Sequence, residues 1–187
     1  MNTYDFDKTI YINDSSFDFF FYCLGKHPFA VLRTVPLSGV KGILYALGKI
    51  ETKELKQQLF SFLKYLHNVD LDVELFWNKK FSGIGKWYLE KRKDDDIIIS
   101  ASPEFLLEPV AKRLGVELMG TVMDKRTGLI QGKNCHDTEK VRRFYERYPD
   151  GHSEEFYSDS LSDSPMAEIS DKAYMVDHGK LSPWPEN

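Results

Sequence analysis

"IIISASPEFLLEPVAKRLGVELMGTVM", residues 97–123, decides the architecture of this chain. Ile97 to Ile99 are branched aliphatics without polar alternation, which reads as a strand buried on both faces. The run stops at Ser100. Pro103 then starts a helix, where its missing N–H is harmless, and Gly115 ends it. "VELMGTVM" (116–123) follows as a second strand. A strand, a covering helix and another strand are the repeating unit of a parallel sheet.

Outward from this unit, "DDD" at 94–96 reads as a solvated turn, and "RTGLIQGK" (126–133) has hairpin chemistry. "DTEKVRRFYERY" (137–148) is an amphipathic helix with Asp137 as its expected cap. "EEFYSDS" (154–160) and "KAYMVD" (172–177) are further strands. At the other end, Asn2 to Phe6 forms a short first strand. Between it and the central unit lie about eighty residues of helical signal. Asp14 or Ser15 caps a helix through "FDFFFY" that Gly25 and Pro28 end. A second helix from Pro28 bends or breaks at Pro36 and Gly39. "TKELKQQLFSFLKYLH" (52–67) and "LDVELFWNKKFSGIGKWYLEK" (71–91) read as two more, the latter weakened by Gly83 and Gly85. The expected fold is α/β: a Rossmann-like, mostly parallel sheet flanked by helices. Residues 1–13 and 93–187 would form the core, and 14–92 an inserted α-helical cap.

The net charge of −4 argues against a broad nucleic-acid footprint. Cys23 and Cys135 stand alone without a CxxC pair, so neither a disulfide scaffold nor a cysteine-based zinc site is expected. No leader is visible, and a cytoplasmic protein fits these features. Residues 17–50 are rich in apolar and aromatic side chains, but Arg33, Pro36 and Lys41 interrupt any membrane span. They read best as buried helix faces. An interfacial contact using Lys26, Arg33, Lys41 and Lys49 is the alternative.

In open α/β sheets, ligands bind at the carboxyl ends of the strands. Those ends hold Asp5 and Asp7 after the first strand, Ser100 after the second, and Asp159 and Asp163 after "EEFYSDS". Lys140, one turn into its helix, can join them. Four clustered carboxylates repel one another unless something positive sits among them. Mg²⁺ suits a site of a few carboxylates, water and a phosphate.

These segments, in this order, resemble the haloacid dehalogenase superfamily, in its phosphoserine-phosphatase-like branch. "YDFDKT" is similar to the first motif, "IIIS" to the second, Lys140 in "NCHDTEK" to the third and "YSDSLSDSPM" to the fourth. Ser158 stands where that family more often has glycine. The resemblance implies a phosphatase for a small phosphorylated metabolite, with Asp5 as nucleophile and Asp7 as acid and base. Ser100 and Lys140 would hold the phosphate. Mg²⁺ would be bound by Asp5, the Asp7 carbonyl and Asp159, with Asp163 direct or behind them. Thr9 would brace its loop. A phosphotransferase using the same aspartyl-phosphate, or an idle phospho-ligand-binding module, are the alternatives. The cap would select the substrate, with Arg33 as its candidate contact.

Overall fold

The computed structural model describes residues 1–34 and 52–185, together with 37, 41, 42, 44, 47 and 48. The expected bend at Pro36 and Gly39, and Lys49, lie outside the described residues.

Six strands form one sheet in the order β3-β2-β1-β4-β5-β6. They are β1 (Thr3–Tyr4), β2 (Ile97–Pro103), β3 (Glu117–Thr121), β4 (Ser153–Ser158), β5 (Ser170–Asp177) and β6 (Lys180–Pro183). The pairs from β3 across to β5 are parallel, and β6 runs antiparallel to β5. This is the expected α/β sheet. The alternation along β2 sorts the core: Ile98 packs on one face, while Ile97 and Ile99 pack on the other. β4 does the same with Tyr157 and Phe156.

Among the described residues the helices that bear on the site are α1 (Ser15–Lys26), α2 (Pro28–Leu32), α3 (Thr52–Leu59), α4 (Val69–Lys80), α5 (Lys86–Lys91), α6 (Glu104–Leu114), α7 (Thr138–Arg147) and α8 (Ser164–Glu168). Asp14 caps α1, its carboxylate accepting from the Phe17 N–H at 3.0 Å. Gly115 ends α6 in the left-handed conformation, φ 68°. Against the buried sheet face opposite α7, α4 donates the Trp77 indole N–H to the Leu106 carbonyl at 2.6 Å.

Several local readings are corrected. β1 is two residues long rather than five, although Asp5 N–H still donates to the Tyr157 carbonyl at 2.8 Å. The helix expected over 71–91 is split into α4 and α5. A Cβ on Gly83 would stand 2.6 Å from the Tyr11 ring, and Gly85 N–H is taken by the Ile10 carbonyl at 2.8 Å. The chain there is pinned against the loop after β1, which overrides helical propensity. The helix from Thr52 likewise yields to a 3₁₀ turn at Ser61–Tyr65. Asp96 is buried rather than solvated, because its carboxylate accepts from the Lys93 N–H at 2.8 Å. Asp137 occupies the cap position of α7, yet its side chain makes no capping bond.

Candidate active site

The carboxyl ends of β1, β2 and β4 surround a cavity of about 300 Å³. β1 lies at the centre of the sheet, between β2 and β4, so the loops that follow these three strands converge. Asp5, Asp7, Ser100, Lys140, Asp159 and Asp163 all line the cavity. Arg33 does not; it is exposed, its guanidinium over the Tyr65 ring at 5.3 Å.

Lys140 is the hub. Its first-turn position in α7 places it on the same side as Phe144, and both are buried. The ammonium donates to Asp5 Oδ1 at 2.6 Å and to Asp163 Oδ2 at 2.7 Å. Burial disfavours the ammonium, but the two carboxylates outweigh it and keep Lys140 protonated. Burial lifts the Asp5 carboxyl, and Lys140 only partly offsets that. Asp163 also accepts from Ser158 Oγ at 2.7 Å, so it braces the site rather than capping α8, where it makes no side-chain cap.

Asp7 is held differently. Ser15 N–H donates to Oδ1 at 2.7 Å, and Ser102 Oγ–H donates to Oδ2. Burial, then the charge of Asp14, push the Asp7 carboxyl up to about 6, against the pull of these donors. Ser15 and Ser16 hydroxyls surround the Ser102 hydroxyl at 3.3 and 3.1 Å. A small hydroxyl cluster thus joins the start of α1 to the end of β2. Ser100 Oγ accepts from the Ser102 N–H at 3.1 Å, which leaves its own proton to donate. Thr9 Oγ1 accepts from the Asp159 N–H at 3.0 Å and ties the first acidic loop to the last.

Sequence reasoning left several lining residues without a role. Ser102 repeats Ser100 two positions on, and strand periodicity puts both on one side. Lys56 had no signal beyond its charge. It reaches in from α3 and donates to the Ala101 carbonyl at 2.6 Å and Asn134 Oδ1 at 3.2 Å. Burial holds its pKa down, opposed by Asp7, Asp14 and Asp5. Lys8, in the left-handed region at φ 56°, and the exposed His136 complete the rim.

The donor set fits a hard divalent cation. Asp163 Oδ1 is buried without a hydrogen-bond partner, and Asp159 is a half-buried carboxylate raised by burial. Such groups are costly to bury unless a positive charge meets them. Among the described residues no three Asp, Glu, His or Cys side chains close on a single point. The remaining ligands would be main-chain carbonyl, water and substrate, the mixture Mg²⁺ ordinarily accepts.

With this geometry in hand, comparison is informative. The profile of haloacid dehalogenase-like hydrolases matches residues 3–168, spanning all the segments just described. The chain belongs to this family. The hydrolase is 29% identical to Protein CicA of Caulobacter vibrioides, over 95% of this chain and 86% of that one. Its fold is shared with a protein of unknown function from Bordetella pertussis Tohama I: TM-score 0.72, 21% identity, 92% and 87% coverage. It is also shared with a phosphoserine phosphohydrolase-like protein from Francisella tularensis subsp. tularensis SCHU S4. That likeness has TM-score 0.56 and 17% identity, over 92% of the hydrolase and 86% of that chain. The resemblance to the phosphoserine-phosphatase-like branch therefore holds at the level of fold.

Proposed function

We propose that the hydrolase is a Mg²⁺-dependent phosphatase that cleaves phosphomonoesters through an aspartyl-phosphate on Asp5. The observation that carries this reading is the bond from the buried Lys140 ammonium to Asp5 Oδ1. It fixes one oxygen of the carboxylate and leaves the other for the cavity. A carboxylate is a recognised nucleophile for covalent catalysis once it is aimed and its charge is balanced. Asp5 attacks the phosphorus, the ester oxygen departs, and the Asp7 carboxyl gives that oxygen a proton. Asp7 then takes a proton from the water that releases phosphate. Its raised pKa suits both tasks. Ser100 and Lys140 donate to the phosphoryl oxygens.

Asp5, the Asp7 main-chain carbonyl and Asp159 would hold the ion, with Asp163 beside them. Bound there, Mg²⁺ supplies positive charge against the phosphoryl oxygens. Residues 1–13 and 93–187 act as the catalytic core, and 14–92 as a cap that excludes water and selects the phosphorylated substrate. No helix among the described residues is long and apolar enough to cross a membrane. We place the protein in the cytoplasm, where the buried thiols Cys23 and Cys135 stay unpaired.

The test is phosphate release from an aryl phosphate with Mg²⁺ and with a chelator, for the wild type and Asp5→Asn. Turnover should need Mg²⁺ and fall by about three orders of magnitude or more in the variant. Undiminished release by Asp5→Asn, or indifference to chelation, would overturn the proposal.

A further inference from the structure

The catalytic cavity does not end at its acidic lining. Lys8, Asp14, Phe17 and Asp159 also border a second cavity of about 680 Å³, walled by Ile12, Phe21, Met175 and Val176. Phe17 and Phe21 are one helical turn apart on α1 and face the same way. They are 53% and 62% exposed, and Ile12 is 60% exposed. Large apolar side chains left open beside a charged pocket mark a surface that something apolar covers.

The exposure continues beyond the groove. Phe29 and Leu32 on α2, then Leu37 and Leu47, stand open to solvent. A small metabolite held among Asp5, Ser100 and Lys140 has no use for them. Along the sequence no acidic residue lies between Asp18 and Glu51, while Arg33, Lys41 and Lys49 do, as does Lys26, whose ammonium pairs with Asp72 at 2.7 Å. This contrasts with a chain that is −4 overall. Aromatic and leucine side chains interleaved with lysine and arginine complement the anionic interface of a bilayer. The acidic side chains in the groove, Asp14, Asp18, Asp159 and Asp177, would repel a second anionic group. They favour an uncharged apolar chain there.

We propose that the substrate is a phosphomonoester lipid, taken from an anionic bilayer on which α1 and α2 rest. The phosphate lies among Asp5, Ser100 and Lys140, and the acyl portion leaves along Ile12, Phe17 and Phe21. This rests on the phosphatase reading and names its substrate class. The P–O ester bond breaks, the lipid alcohol departs with the Asp7 proton, and water supplies the fourth oxygen of inorganic phosphate.

The test compares three esters with the full chain and Mg²⁺. They are a water-soluble aryl phosphate, a monomeric short-chain phosphatidic acid, and long-chain phosphatidic acid in phosphatidylcholine–phosphatidylglycerol vesicles. The long-chain lipid should have the highest kcat/KM, and the protein should float with the vesicles. Phe21→Ser, outside the catalytic machinery, should lower turnover of the vesicle substrate by about tenfold or more, the scale of one lost aromatic contact. Its aryl phosphate turnover should stay unchanged. Equal effects on both substrates would overturn the proposal. So would aryl phosphate turnover without vesicle turnover, or short-chain lipid cleaved as well as the vesicle lipid. Failure to cleave any ester would sink the phosphatase reading itself and this proposal with it.

Discussion

Asp5 and Asp7 are two residues apart and meet different surroundings. Asp5 faces an ammonium, whereas Asp7 faces only neutral donors, Ser102 Oγ and Ser15 N–H. The ammonium opposes the rise that burial imposes on the Asp5 carboxyl, while Asp7, raised to about 6, is placed to cycle a proton. Ser102→Ala tests this division. Removing a donor that favours the Asp7 carboxylate raises its pKa from about 6, so the protonated form persists to higher pH. The alkaline limb of the kcat profile should move up by about one pH unit, the value of one hydrogen bond to a charged group. A limb that stays in place would detach Ser102 from Asp7. Lys140→Met leaves Asp5 and Asp163 buried without their shared cation. It should lower the stability measured by urea unfolding by about 3 kcal/mol or more. The sequence announced the acidic pair, Ser100 and Lys140, because each ends a strand or starts a helix. It was silent about Lys56, whose significance comes from α3 folding over a strand end far away in the chain.

At the scale of elements, reading was reliable where burial and periodicity agreed. β2 and α6 were legible because Ile97 to Ile99 and the Pro103–Gly115 bracket point the same way. The split between α4 and α5 was not, because its cause is the Tyr11 ring, more than seventy residues upstream of Gly83. Gly83→Ala would drive a methyl into that fully buried ring. We expect a loss of about 1–3 kcal/mol in unfolding free energy, as for other overpacked sites; an unchanged denaturation midpoint would show that Tyr11 can yield. β6 was missed altogether. Its four residues are all exposed and carry no alternating apolar signal. A second unread feature is the tyrosine row across β1, β4 and β5. Tyr4 stacks on Tyr157 at 4.8 Å, and Tyr157 on Tyr174 at 5.1 Å. Strand register places these rings side by side, and register is a property of pairing that no single strand displays.

Across the whole molecule, the helices between β1 and β2 are attached unevenly. α3 holds the core through polar bonds to the loop before α7. Lys53 Nζ donates to the Gly132 carbonyl at 2.7 Å, and Gln57 Oε1 accepts from the Ile130 N–H at 2.9 Å. α4 is instead embedded in aromatic packing, Trp77 lying 5.7 Å from Phe6 and 5.2 Å from Tyr11. Opening the site should therefore release α3 more readily than α4. The double variant Lys53→Ala, Gln57→Ala should speed amide exchange in α3 by about tenfold while β1, β2 and α4 keep their protection. Uniform acceleration would mean that the insertion moves as one body.

The Trp77 indole, sealed against the Leu106 carbonyl, has a practical optical corollary. Its emission should stay blue and resist quenching by iodide while the protein turns over, since the ring never meets solvent. Any red shift on adding a phosphate mimic must then originate at the partly exposed Trp87 or Trp184. Loss of the Trp77 signal would report global denaturation, giving one chromophore as an internal standard against which the other two are read.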